Sequence, residues 1–287
     1  MRGFDSLNPI TALIYYLFAI CIPMFTLDPV IALISILTSV LFDILLQKRM
    51  GGKYIFVFFL FLISSLINPI FNQNGVTVLL FINDTPITLE ALVYGIFSSL
   101  TLVSVIVWFF TFSSVMTSEK IIYIFGRISP KTALVISMAL RFVPLFLKNY
   151  KKTENALKCT GLYDTDSLFG TLRLKIRAFS ALLTQSTEYG IITADSMEMR
   201  GYGKGKRTFF SLYKFGIADT VFSLGVIFFG ILCLCTLNGV QFYPTLFEKE
   251  LLYSNVISYI SYFILAVTPS ILTVSEGIRW KYLLSKI

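Results

Sequence analysis

Long, almost entirely apolar segments dominate this sequence and constrain its fold more than any other feature. A membrane-spanning helix needs about 17–25 mostly apolar residues, and six stretches qualify: residues 10–27, 29–46, 54–71, 89–115, 215–237 and 256–274. A soluble helix would carry a polar face and an outer-membrane strand would alternate, whereas these stretches are apolar all round. Charged residues make up 14% of the chain, against about 25% in soluble domains. The sequence therefore predicts an all-α, polytopic integral membrane protein.

The positive charges predict how the chain is oriented. If the N-terminus is cytoplasmic, 23 of the 24 Lys and Arg residues fall on the inner side, 16 of them between residues 116 and 215, and only Lys249 falls outside. Basic residues concentrate on the cytoplasmic side of membrane proteins. We therefore expect a multi-pass membrane protein with both termini cytoplasmic. Residues 1–115 hold four spans, residues 116–214 a cytoplasmic helical domain, and residues 215–287 two spans and a short tail.

Two further apolar stretches are not expected to cross the membrane. Residues 76–82 are too short and lie between turn-forming residues, which indicates an external hairpin or surface segment. Residues 132–147 contain Arg141 and Pro144, and a crossing there would place most of the basic segment outside. A helix at the membrane surface, or one packed beneath the spans, fits this stretch better.

The basic segment is predicted to contain three helices. A short one runs from Thr117 to Phe125 and is broken by residues 126–130. Two long ones cover about residues 131–160, with a kink at Pro144, and about residues 172–200. Apolar and small residues share one face of the last helix, away from Gln185, Glu188 and Asp195; they are Ile176, Phe179, Leu183, Ser186, Gly190, Ala194 and Met197.

Each long helix is expected to stop at a glycine, after Cys159-Thr160 and after Met199-Arg200 respectively. Gly201 is the expected left-handed cap, and Arg200 in the last turn complements the helix dipole. Simpler interpretations stay open at this point. Arg200 can be an ordinary capping residue, Tyr202 an interfacial aromatic, and the basic segment a topology signal attracted to anionic lipid.

Several classes of function are disfavoured by what the sequence lacks. It contains no histidine, and its four cysteines show no C-x-x-C spacing, so we expect no metal site and no catalytic residues. The glycines after residue 200 follow a helix and lack the P-loop spacing, so the chain is not expected to hydrolyse ATP. Acidic residues within the spans lie near their ends, which disfavours an ion-driven pump; they are Asp43, Glu90 and Asp219.

Two motifs resemble those of a known family. Ser-Met-Ala-Leu-Arg-Phe-Val-Pro-Leu at 137–145 resembles the family's A-L-R-F-(I/V)-P segment, and Met-Glu-Met-Arg-Gly-Tyr at 197–202 resembles its A-M-E-A-R-G-Y motif. Asn-Pro-Ile-Thr at 8–11 and Thr-Leu-Glu-Ala at 88–91 agree with the same pattern. The chain therefore resembles, over nearly its whole length, the transmembrane T component (EcfT/CbiQ type) of energy-coupling factor (ECF) ABC transporters.

This resemblance implies a non-catalytic, energy-coupling role. Such subunits connect two cytoplasmic ABC ATPases (EcfA type), which bind the ATP, to a small membrane S component that takes up a vitamin or metal ion. The chain itself would hold no cofactor and bind no nucleic acid; its other surroundings are the lipid bilayer. The alternatives are a stand-alone transporter or channel, and a membrane scaffold without a transport role.

The resemblance also assigns the residues that would dock the ATPases. Arg200 would contact an acidic groove of one ATPase, and Gly201 would let the chain turn closely against it. Arg141, Pro144, Glu198 and Tyr202 would shape the coupling helices. The family usually has Ala-Arg-Gly at the first tip, where this chain has Thr160 in place of the arginine. The full docking set is Lys158, Cys159, Thr160, Gly161, Met199, Arg200 and Gly201.

Overall fold

The computed structural model describes residues 4, 7–26, 28–46, 52–71, 77–82, 85–161, 167–205, 213, 215–237 and 256–284. These residues form nine helices and one two-stranded hairpin, so the predicted all-α fold is confirmed. The elements are α1 (Pro9–Phe25), α2 (Pro29–Leu46), α3 (Lys53–Phe71), β1 (Val78–Ile82), β2 (Thr85–Thr88), α4 (Leu89–Val115), α5 (Ser118–Ile128), α6 (Pro130–Cys159), α7 (Leu168–Met199), α8 (Ile217–Thr236) and α9 (Val256–Leu284).

Six of these helices are long and apolar enough to cross a membrane: α2, α3, α4, α6, α8 and α9. This set differs in two places from the spans expected from the sequence. It includes α6, whose apolar first half raises its mean hydropathy. It omits α1, which is apolar but, with 17 residues, shorter than the others. Placing α6 at the membrane surface and α1 across the membrane stays a prediction.

The chain divides into two compact units, residues 1–121 with 213–287, and residues 122–212. In the first, α4 packs against α1, α2 and α3, while α8 packs against α1 and α9. A cluster of edge-on aromatic rings fills its core; the Phe4 ring centroid lies 5.3 Å from that of Tyr15 and 5.4 Å from that of Phe42. The buried indole of Trp108 donates a 3.1 Å hydrogen bond to Ser35 Oγ, so its polar atom has a partner inside the apolar core.

A buried carboxylate joins the starts of α1 and α8. Asp219 accepts from the backbone N–H of Asn8 at 3.0 Å and from that of Gly216 at 2.9 Å. Asn8 in turn caps α1, its side-chain oxygen accepting from Ile10 N–H at 3.1 Å. Because the first N–H groups of a helix have no partner within the helix, one acidic side chain satisfies donors at two helix starts and holds them together.

The short apolar stretch before α4 forms part of an antiparallel hairpin. β1 pairs with β2, with a register shift between Val78 and Leu80. Thr77 ties the base of the hairpin to α4 through Glu90, whose carboxylate accepts from the Thr77 hydroxyl at 2.7 Å and from its N–H at 3.2 Å. The hairpin is one of the two interpretations drawn from the sequence, and residue 76 lies outside the described residues.

Two helix boundaries in the basic segment were predicted wrongly. α5 continues through Gly126 to Ile128, because a glycine costs a helix only about 1 kcal/mol and the residue before Pro130 gives a stronger stop. α7 begins at Leu168, four residues earlier than residue 172, with Ser167 in extended conformation before it. The other long helix, α6, agrees closely with its predicted bounds, about residues 131–160.

The second unit buries few side chains. α6 and α7 pack against each other, and the residues of α7 that become fully buried are Leu174 and Ala178. The apolar stripe identified in the sequence lies elsewhere on the helix: Ile176, Phe179 and Leu183 are all more than half exposed. Helical spacing therefore located an apolar face correctly but did not indicate which face packs within the chain.

Candidate functional site

The end of α7 is a glycine-terminated helix stop of the Schellman type. Gly201 adopts φ +80°, in the left-handed region, where a residue with a Cβ is strained. Its N–H donates to Glu198 O at 2.9 Å, and the N–H of Tyr202 donates to Met197 O at 3.0 Å. These are the two bonds that define the motif, and they satisfy carbonyls left open at a helix end. The sequence prediction of a left-handed cap at Gly201 is confirmed.

This stop presents two long side chains to solvent. Met199 is 90% exposed, and Arg200 is exposed beside it. Within the described part of the chain, the Arg200 guanidinium forms no hydrogen bond or ion pair. Past the stop, Gly203 also has positive φ, at +89°, and Lys204 N–H donates to Gly201 O at 3.2 Å. The chain thus turns tightly directly behind Arg200, which leaves the guanidinium at the tip.

The end of α6 has the same backbone arrangement as far as it is described. Gly161 has φ +66°, and its N–H donates to Lys158 O at 3.2 Å. This bond corresponds to the one between Gly201 and Glu198 in α7. The partner that would complete the motif belongs to residue 162, outside the described residues. Both predicted glycine stops are therefore left-handed turns at helix ends.

The side chains at the α6 tip are engaged locally. Lys158 forms an ion pair with Glu154, one turn earlier, with Nζ 2.8 Å from Oε1. The hydrogen bond from Lys158 lowers the pKa of Glu154, and the positive charge of Lys158 adds to this effect. The Thr160 hydroxyl donates to Leu157 O at 2.7 Å. At the α6 tip, the thiol of Cys159 is exposed, whereas Lys158 is already paired with Glu154.

Glu154 is the residue of this site that sequence reasoning missed. The signal was present, because Glu and Lys four residues apart on a helix are neighbours, and this order of the two is the favourable one. Because Lys158 already forms an ion pair within its own helix, its charge is less available to a partner than the sequence alone indicates.

The other predicted site residues lie away from the two tips or act through their backbone. Arg141 is exposed on α6, 18 residues before Cys159, which places it about 27 Å along the helix. α6 runs unbroken through Pro144, although proline lacks the N–H that would bond one turn back. Glu198 and Tyr202 contribute the carbonyl and N–H of the α7 stop.

No arrangement resembling a metal centre is found in the described residues: no three His, Cys, Asp or Glu side chains are grouped to hold an ion.

The comparisons with known proteins point to transport. The sequence matches the family described as cobalt transport protein, CbiQ, over residues 4–210. A search of curated proteins found no match. The match spans most of the chain and both tips, which confirms the family indicated by the motifs. The chain belongs to the CbiQ cobalt transport protein family and is a multi-pass membrane protein.

Proposed function

We propose that this chain is the energy-coupling T component of an ECF-type ABC importer. It carries out no chemistry itself: two cytoplasmic ATPases bind and hydrolyse ATP, and the chain passes their motion to a small membrane S component that selects a vitamin or metal ion. The tips of α6 and α7 each dock into one ATPase. The proposal places the protein in the plasma membrane of a prokaryote, with the tips and both termini on the cytoplasmic side.

The observation that carries this proposal is the tip of α7. A stop of the Schellman type places Met199 and Arg200 at the end of a 32-residue helix, inside the region that matches the family. An exposed guanidinium with no partner in the described chain suits an acidic groove, because arginine binds carboxylates through two parallel hydrogen bonds. The exposed Met199 suits an apolar pocket beside it, since methionine adapts to irregular surfaces.

The test is to purify the tagged, full-length chain from its native membrane and identify what accompanies it. We expect two ABC ATPases, or two copies of one, together with a small hydrophobic membrane protein. Arg200→Ala should lose most of the ATPase while retaining the membrane partner. Arg127→Ala is the matched control, because Arg127 is likewise an exposed arginine near a helix end, in the last turn of α5, and is not part of either predicted docking motif.

Two outcomes would contradict the proposal. If no ATPase accompanies the wild-type chain, a stand-alone transporter or a scaffold becomes the better interpretation. If Arg200→Ala and Arg127→Ala both retain the ATPases and the uptake activity of the cells, the α7 tip is not the anchor. If the proposal holds, the identity of the co-purified small membrane protein also indicates the substrate class.

A further inference from the structure

The connection between α4 and α5 is a tight turn of two residues. Met116 has φ −88° and ψ 82°, and the N–H of Thr117 donates to Val115 O at 3.2 Å. A hydrogen bond from a carbonyl to the N–H two residues later, with the middle residue near these angles, is typical of an inverse γ-turn. The direction of the chain therefore changes between the two helices at one residue, Met116.

This α4–α5 corner, residues 115–120, is anchored in the core of the first unit. Val115 is fully buried and belongs to the same apolar cluster as Trp108. Met116 is also buried, and its N–H donates to Phe112 O at 2.8 Å. Segments that move easily have few buried apolar contacts and solvent-exposed backbone hydrogen bonds. The corner has buried contacts and bonded backbone instead.

A buried lysine forms a second bond across the corner. Lys120 Nζ donates to Val115 O at 2.9 Å, and with 5% exposure Lys120 is the one Lys or Arg that is buried among the described residues. The last carbonyls of a helix have no partner within it and carry partial negative charge, so a cation suits the end of α4. In the first turn of α5 the same positive charge opposes the helix dipole. The position of Lys120 is therefore explained by α4.

The two bonds to Val115 O join the start of α5 to the end of α4. α5 continues without a break from Ser118 to Ile128, and the first compact unit ends within it, at Ile121. The chain thus leaves this unit inside a continuous helix. If the corner bent, a displacement of α5 would be absorbed there. If the corner is held, the displacement passes to α4.

We propose that Lys120 is a positioning residue that keeps the α4–α5 corner rigid, so that α5 and the end of α4 move as one body when ATP binds to the partner ATPases. This role in coupling rests on the function proposed above. The rigidity of the corner does not, because it comes from contacts within the first unit of this chain.

The test measures the distance between a spin label on α4 and one on α5, in the purified complex in nanodiscs. p-Acetylphenylalanine replaces Leu102 and Ile128, which are both exposed, and carries the nitroxides, so the native cysteines are kept. Ile128 lies about 15 Å along α5, and a tilt of about 20° at the corner would displace it by about 5 Å. Double electron–electron resonance with and without AMP-PNP detects such a displacement.

We expect one narrow distance distribution for the parent chain, unchanged by AMP-PNP. Lys120→Met removes the donor but keeps an apolar side chain, and it should widen the distribution by several Å and make it depend on AMP-PNP. Lys120→Arg keeps a cationic donor and should restore a narrow distribution. Lys131→Met is the matched control, because Lys131 is an exposed lysine at the start of α6. It should behave as the parent chain does.

Three results would overturn the proposal. A shift of several Å in the parent chain on adding AMP-PNP would mean that the corner bends, and this measurement needs no variant to fold. A distribution as narrow in Lys120→Met as in the parent would mean that Lys120 only caps α4. Equal widening in Lys131→Met would mean that loss of charge, and not of the bond to Val115 O, is the cause.

Failure of the proposed function would look different. No ATPase would then accompany the parent chain, and AMP-PNP would have no binding site in the sample. The widths measured without nucleotide, in the parent chain, Lys120→Met and Lys120→Arg, would still decide whether Lys120 holds the corner.

Discussion

The tips of α6 and α7 share one backbone design and differ in the charge they offer. Each helix ends at a glycine with positive φ whose N–H donates to the carbonyl three residues back, from Gly161 to Lys158 and from Gly201 to Glu198. At the α7 tip the Arg200 guanidinium has no partner in the described chain. At the α6 tip, Lys158 is held by Glu154 at 2.8 Å, and the position equivalent to Arg200 is a threonine. The same turn thus carries an exposed guanidinium without a partner in the described chain at one tip, and a lysine paired within its own helix at the other.

This difference shows that helix-stop geometry and docking charge are separate properties. The glycine sets how the chain turns, since only its backbone accepts left-handed φ without strain. The side chains just before the glycine, and any ion pair that they form within the helix, determine the charge that the tip offers to a partner. A T component built in this way would hold two ATPases with unequal strength, with most of the ionic contribution at the α7 tip.

The largest expected effect is the loss of Arg200. Truncating one member of a desolvated, hydrogen-bonded charge pair costs about 2–5 kcal/mol, so Arg200→Ala should weaken ATPase binding by about 30-fold or more. Lys158→Ala should change it little, because Lys158 already has a partner within its own helix. Titration of purified ATPase onto each variant in nanodiscs measures both. Equal losses for the two variants would remove the asymmetry between the tips.

The next largest effect is a gain at the α6 tip. Thr160→Arg restores the residue usual in the family, and a hydrogen bond to a charged group is worth about 1.5–3 kcal/mol. We expect the variant to assemble normally or to bind its ATPase more tightly, and to rescue part of the loss caused by Arg200→Ala. Thr160→Gln is the control for side-chain size without charge. If Thr160→Arg prevents assembly, residue 160 is not the position equivalent to Arg200.

The sequence could predict both helix stops because each depends on local chemistry. A glycine after a long helical pattern favours a left-handed cap whatever surrounds it. The apolar runs locate most of the other helices to within a few residues: α2 begins at Pro29 as predicted, whereas α9 continues past the predicted stretch 256–274 to Leu284. Proline at the first helical position needs no N–H. These features required no knowledge of distant residues.

The features that could not be predicted depend on which surfaces meet. The bond from Asn8 N–H to Asp219 joins residues 211 positions apart, and no local pattern indicates it. The same limit applies to α7, where the choice of Leu174 and Ala178 for packing was set by α6. At the α6 tip, by contrast, the pair of Glu154 and Lys158 depends only on local spacing, because residues four apart on a helix are neighbours.

A smaller effect is expected from the glycine stop itself. Left-handed φ costs a residue with a Cβ about 1–2 kcal/mol, although a Cβ at Gly201 would meet no atom within 4 Å. Gly201→Ala should therefore speed hydrogen exchange of the Tyr202 amide, which bonds to Met197 O. Gly190→Ala is the control, since Gly190 lies exposed within α7 with open space around it, and alanine favours a helix. Unchanged hydrogen-exchange protection of the Tyr202 amide in Gly201→Ala would contradict the role of Gly201 in the helix stop.

The smallest effect concerns the ion pair at the α6 tip, and its pH dependence has a definite sign. The hydrogen bond from Lys158 lowers the pKa of Glu154, so the pair stabilises the helix end at pH values above the ordinary glutamate range and loses this contribution as the pH falls through the lowered pKa. Carboxyl ¹³C NMR should show the Glu154 pKa rising in Lys158→Gln.

Glu154→Gln should free Lys158 and slightly strengthen ATPase binding at the α6 tip at neutral pH. The gain should be larger at low salt, because salt screens exposed charges. Unchanged binding of Glu154→Gln at all salt concentrations would contradict the idea that the ion pair keeps Lys158 from contributing to ATPase binding. A weaker ATPase contact at the α6 tip would then be due to Thr160 alone.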